Sequence, residues 1–357
     1  MTFPHSTSHG AFLQMYALSR TVEQLGYVPE IIHYSNRHLQ QEKHAAAYQK
    51  TGQLKHSAKL LAKKILHSRF YRSFRRSERL LSLYPKRVCS QDRLLEKDRY
   101  AAAICGSDQV WNPDIIDRDM VFFLDFCDEN TKRISYAPSF GVDHIDPAYE
   151  LQIRPQLKKF HALSVREAQG KEILESLGFG DVPVVADPTL LHSGHWWQHL
   201  EVKRGNIKGE YILYYFVHRS KTMWKFCKEL SDKTGLPIVV LGGNLFSNVK
   251  NKDPKVRYVP DTSPGEWLYL LHNARYVVTN SFHGTAFSIN YRKDFYVEYP
   301  EKFSSRIRYI LDKTGLSDRA ITQDWKLQDV DYTYAQQELD SWREMSRGYL
   351  ETALKDD

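Results

Sequence analysis

The chain has 357 residues, 42% hydrophobic and 13% aromatic, with a formal net charge of +7. That apolar content excludes a disordered polymer, and the length allows two domains of ordinary size in place of one strained core. No charged-then-apolar leader and no run of about 18 apolar residues is visible, so a secretory signal and a membrane-spanning helix are not expected and the expected compartment is cytoplasmic.

GAFLQMYALSRTVEQLG reads as a helix, with Leu13, Tyr16, Ala17, Val22 and Leu25 at helical spacing, Gly26 as its stop, and Ile31 and Ile32 in a short strand beyond. Such a helix normally follows an earlier strand of a parallel sheet. Only the polar MTFPHSTSH precedes it, so a truncated start is expected. Residues 37–87 then carry 14 Lys and Arg against Glu42 and Glu78, a local +12 that leaves the rest of the chain near −5. This basic segment, taken as a helical insertion over 38–98, has three readings. It is a solvated helical face, a surface that leans on anionic lipid at the inner face of the membrane, or a nucleic-acid surface. Without a recognised reading motif the last is set aside, and no nucleic-acid partner is expected.

Strands follow at Ala101–Ile104, which ends in the polar cluster CGSDQVWNP, and in RISYAPS, SVRE and VPVVADPTLL. HSGHWWQHLEVKRGNIKGE, 192–210, is a short helix and a polar connection between the halves. The second half repeats the alternation with the strand YILYYFV, the helix TMWKFCKELSDKTG and the strand PIVVLGGN. SPGEWLYLLHNA carries strong helix-start signals in Ser263, Pro264 and Glu266. RYVVT, NSFHG and TAFSINY continue the pattern, and 333–355 is an amphipathic final helix. The fold class expected is α/β, two Rossmann-like βα-repeat domains over 1–192 and 207–330 facing a cleft.

Several residues are candidates for chemistry. In RYVVTNSFHGTAFSIN the turn after the strand would turn backbone N–H groups and a helix dipole, near Gly284, toward the cleft beside His283. A phosphate or carboxylate fits there, unless His283 only caps its own turn. Arg166, at a strand end, offers a planar fork for an anion, or forms a structural ion pair with Glu167 or another acid. Arg306 is a further anion contact or an ordinary surface arginine. His192, His195 and His199 invite a metal reading, yet Ser193 looks like an N-cap that leaves His192 outside the helix, and no metal is expected. Gly242-Gly243 allows close backbone approach but lacks a full dinucleotide fingerprint. The cysteines Cys89, Cys105, Cys127 and Cys227 show no C-x-x-C spacing, which disfavours a zinc ribbon or a disulfide framework.

CGSDQVWNP, SYAPSFG, SVRE, VADPTLL, TNSFHGTAFSIN and SSRIRYILDKTGLSDR stand in the order seen in the polysaccharide pyruvyl transferase family, and GAFLQMYAL resembles that family's opening helix. The resemblance covers nearly the whole chain, least over 38–98. It implies a GT-B-like fold, phosphoenolpyruvate as donor and co-substrate with no separate cofactor, and a glycan or lipid-linked glycan as acceptor. The product it implies is a pyruvate ketal in cell-surface or exopolysaccharide biosynthesis. Carried over by motif, Arg166 and His283 are the donor contacts, joined by Gly284 and Arg306. Many members have an arginine two residues before the histidine, where this chain has Ser281, so an anion contact is missing or comes from Arg306 or Arg308.

The residues suit that chemistry. His283 is the candidate acid or phosphate ligand, and Asp108 the candidate base for an acceptor hydroxyl or a cap on the turn after its strand. Gln109 and Asn112 would hydrogen-bond a sugar, and Trp111 would stack on it or lie in the core. Two other classes compete: a GT-B glycosyltransferase using a nucleotide sugar, and a non-catalytic polyanion- or membrane-binding protein.

Overall fold

The computed structural model describes residues 1–3, 8–34, 68–83, 100–242, 253–259, 261–300 and 304–355. Of the basic segment only 68–83 is among them, and Cys89 and Gly243 lie outside. The chain divides into two compact units, Met1–Leu191 with Glu344–Asp357, and His192–Arg343.

The first unit opens with α1, His9–Gln24, which ends before Gly26 at φ 91°. Helix α2 follows at Ser68–Glu78. Strand β1, Ala102–Cys105, pairs in parallel with β2, Lys132–Ser135, in the register Ile104 to Ile134. Between them sits the single turn α3, Pro113–Ile116, and after β2 come α4, Pro147–Leu157, and α5, Ala168–Ser176. The strands expected at SVRE and VPVVADPTLL are reduced to single parallel bridges, Val165 to Val184 and Ile134 to Ala162. Pro183 explains part of this, because it accepts from Val165 N–H but has no N–H to extend the ladder. Asp187 then caps a 3-10 turn at Pro188–Leu190. Likewise Ile31 forms only a bridge, to Leu83. An aromatic core built on Trp111, Phe122, Phe123, Phe140 and Tyr149 fills this unit.

The second unit begins with α6, Gly194–Trp197, whose N-cap Ser193 accepts from Trp196 N–H. Then come β3, Ile212–Phe216, α7, Lys221–Thr234, β4, Ile238–Gly242, and β5, Val256–Tyr258. Helix α8, Pro264–His272, starts on the capping box Ser263/Glu266, and β6, Tyr276–Thr279, follows. After them lie α9, Phe282–Asn290, β7, Asp294–Val297, and α10, Ser305–Lys313. All strand pairs are parallel, in the order β5-β4-β3-β6-β7. The chain therefore grows outward from β3 in one direction, then returns past it, which makes the β3–β6 boundary a topological switch point. Strand β3 alternates accordingly. Tyr214 and Phe216 pack on α7 through Met223 and Phe226, whereas Tyr215 meets Trp267 of α8 at 5.3 Å between ring centroids. The final helix α11, Thr333–Leu354, gives its first half to this unit and its second half to the other. No helix among the described residues is long and apolar enough to cross a membrane.

Candidate functional site

In the first unit the polar cluster after β1 is held by close backbone packing. Gly106 has φ 127°, and a Cβ there would stand 2.0 Å from Tyr136 O, so only glycine lets the chain pass the residue after β2 this closely. Ser107 N–H donates to Gln14 Oε1 of α1, and Ser107 Oγ lies 3.0 Å from Asp187 Oδ2. Asp108 follows in a left-handed conformation, φ 75°, with its carbonyl accepting from Ser139 N–H at 2.9 Å. Its carboxylate accepts from Gln109 N–H at 2.9 Å and keeps a 17% exposed side chain. Gln109 is half-buried beside it.

Arg166 stands behind Asp108. The side chain is 1% exposed; Nη1 donates to the buried Asp187 at 2.9 Å, Nη2 lies 3.8 Å from Asp108, and Nε lies 3.5 Å from Glu167. Asp187 also accepts from Thr189 N–H and Oγ1. A guanidinium so enclosed by three carboxylates is an internal clamp, which corrects the expectation of a displayed donor contact at this position. These carboxylates hold its pKa above the ordinary range against the opposing effect of burial.

The acceptor-side expectations for Trp111 and Asn112 are also corrected. Trp111 is 0% exposed; it stacks on Phe123 at 5.3 Å, and its indole N–H donates to Phe122 O. It is core and has no face for a sugar. Asn112 is buried too, its Oδ1 accepting from Asp114 and Ile115 N–H as the cap of α3 and its Nδ2 donating to Gln109 Oε1. Sequence reasoning missed Ser139, whose Oγ is buried without a hydrogen-bond partner among the described residues, one residue past the Pro138 that pairs with Asp108. It lies in the SYAPSFG stretch.

In the second unit the carboxyl ends of β3 and β6 meet. Asn280 joins their loops, its Oδ1 accepting from Val217 N–H at 3.0 Å and its Nδ2 donating to His218 O at 2.7 Å. Ser281 is the N-cap of α9; its Oγ accepts from Gly284 N–H. The expected Gly284 donor is therefore taken by the cap. Gly284 serves packing instead, since a Cβ there would lie 2.5 Å from Thr279 Oγ1 and 3.0 Å from Tyr215 Cδ1. His283, 8% exposed, sits in the first turn of α9 with its ring edge-on to Phe282 at 5.2 Å. The Arg306 guanidinium lies 5.9 Å from the centroid of the same Phe282 ring. His283, Phe282 and Arg306 thus form one cluster at the switch point. Arg308 points elsewhere, stacked at 3.9 Å on Tyr299. Beneath the cap, burial pushes the Tyr215 phenol up to about 12, so it remains a neutral hydroxyl.

The three histidines of the connection do not converge on one point. His192 stacks on Trp196 at 3.7 Å, His199 bonds the Trp196 carbonyl, and His195 is exposed. Gly242 ends β4.

A family model described as polysaccharide pyruvyl transferase matches residues 9–302, taking in Asp108, Arg166 and His283 and stopping short of Arg306. The chain belongs to the polysaccharide pyruvyl transferase family. Comparison with curated proteins returns no significant match. Among solved structures, this pyruvyl transferase family member is similar to the S. aureus MnaA–UDP co-structure at 9% identity, TM-score 0.48, over 96% of this chain and 88% of that one. It is also similar to the UDP-GlcNAc 2-epimerase of Methanocaldococcus jannaschii at 11% identity, TM-score 0.45, over 93% and 88% of the two chains.

Proposed function

We propose that the protein is a cytoplasmic enzyme that transfers pyruvate from phosphoenolpyruvate to a glycan or lipid-linked glycan destined for cell-surface polysaccharide. One observation carries the reading: in a member of this family, His283 and Arg306 both approach the Phe282 ring at the carboxyl end of the switch point, where α/β sheets bind ligands.

The donor is a compact polyanion, so its site needs a cation, N–H donors and a proton source. Arg306 supplies fixed charge, the first turn of α9 supplies its dipole, and His283 the transferable proton. His283 protonates the methylene carbon of phosphoenolpyruvate and leaves a cationic centre at C2. A sugar hydroxyl adds there and gives up its proton to a general base. A second hydroxyl then attacks the same carbon, and phosphate leaves with the C2–O bond electrons. One hydroxyl proton has by then replaced that lost to the new methyl group; the other departs with phosphate. Within the first unit we assign Asp108 and Gln109 to recognition of the acceptor glycan, with Arg166 buried behind Asp108 and not touching substrate.

Calorimetric titration with phosphoenolpyruvate tests the donor half. Binding by the parent, weakened at least tenfold in Arg306→Ala and in His283→Ala, about 1.4 kcal/mol each, is expected. Equal binding by both variants, or binding of UDP- or GDP-sugars and none of phosphoenolpyruvate, contradicts it.

A further inference from the structure

The arginines of α2 take no part in the proposed reaction. Arg72, Arg75, Arg76 and Arg79 are spaced along one side of the helix and its following turn, and all four are exposed. The other side faces inward, with Phe74 buried against the His9 ring at 5.3 Å and Leu81 buried beyond it. Glu78, half-buried, is the one acid within the described part of this helix.

This cationic row has an apolar border. Arg20 donates to Leu80 O and Ile31 N–H to Ser82 O, each at 2.8 Å, which brings the turn after α1 alongside the segment leaving α2. The Ile31–Leu83 bridge is parallel, and Val28 and Leu80 each stand three residues before it on the two neighbouring segments. Val28 is 95% exposed, Leu80 43% and Tyr27 37%. A nucleic-acid backbone would occupy the arginines and leave these side chains in water. The interface of an anionic bilayer takes both, phosphates on the guanidinium groups and acyl boundary on the apolar residues.

We propose that Arg75, Arg76 and Arg79, with Val28 and Leu80, form a membrane-docking face that recognises anionic phospholipid. Docking needs neither donor nor glycan, so it stands or falls apart from the proposed reaction.

The test is flotation of the full chain with vesicles of phosphatidylcholine alone, or mixed with phosphatidylglycerol, at low and high salt. The protein binds the mixed vesicles and is released by salt. Replacing Arg75, Arg76 and Arg79 by Gln lowers partitioning by roughly a hundredfold, about fivefold for each charge near the surface. Lys at the same three positions restores it, which separates lost charge from lost folding. Val28→Ser with Leu80→Ser weakens it further at high salt, where the apolar contact dominates. Undiminished binding by the triple Gln variant overturns the proposal. So does vesicle binding indifferent to the Ser substitutions in a protein that holds duplex nucleic acid more tightly.

Discussion

Arg166 Nη1 donates to Asp187 Oδ2 at 2.9 Å with both side chains buried, so the charge pair sits inside the first unit rather than on it. Breaking one member of such a pair strands the other charge. Arg166→Ala is expected to cost about 3–5 kcal/mol, and Asp187→Ala a similar amount, read as a shift in the urea midpoint at unchanged slope. An activity loss in Arg166→Ala therefore reports folding and the position of Asp108 before it reports donor binding. Arg166→Lys keeps the charge but loses the fork, and its stability is expected to lie between those of the parent and Arg166→Ala.

Ser281 and Gly284 set the first turn of α9. Ser281→Ala removes the cap on Gly284 N–H and is expected to cost about 1 kcal/mol. Gly284→Ala drives a methyl into Thr279 and Tyr215 and is expected to cost about 1–3 kcal/mol. Thermal melts of both variants check the ranking, with Gly284→Ala the less stable.

Trp111 is the keystone of an aromatic core. Trp111→Ala is expected to lose about 3–5 kcal/mol, and Trp111→Phe clearly less, by denaturant titration. A folded Trp111→Phe variant that keeps the parent's acceptor KM agrees with core packing. A raised KM without loss of stability would return this residue to the acceptor.

Cys105 and Cys127 have thiol pKa values pushed up to about 12 by burial, and Cys227 is shifted the same way. The reactive species is the thiolate, so these thiols are protonated and inert through pH 8. Titration with a thiol reagent is expected to modify them only after denaturant is added, and raising the pH by one unit is expected to change the native result little.

Much of the scaffold was legible. Ser263, Pro264 and Glu266 announced α8, and the cap geometry they imply is present, Ser263 Oγ accepting from Glu266 N–H while Glu266 Oε2 accepts from Ser263 N–H. The apolar runs at 212–216, 238–242 and 276–279 announced β3, β4 and β6, because strands buried on both faces read as continuous hydrophobic stretches. Strands β5 and β7 went unread, since VRY and DFYV mix polar residues into three- and four-residue edge segments. In the candidate site the sequence located the loops but not the exposure. Arg166 and Trp111 have the residue types of a binding surface. Only tertiary packing, the three carboxylates around one and the phenylalanines around the other, turns them inward. Arg306 was legible as a cation and not as a partner, because its neighbour Phe282 is distant in sequence.

The central claim rests on His283, and the most direct measurement is phosphate release from phosphoenolpyruvate with a panel of glycans, with the ketal product followed by mass. The parent is expected to release phosphate only with an acceptor. His283→Ala is expected to fall by roughly 10²-fold or more, as loss of a general acid does, while its melting curve stays with the parent's. Equal turnover by His283→Ala contradicts the account, as does a parent that turns over nucleotide sugars and leaves phosphoenolpyruvate untouched with every glycan.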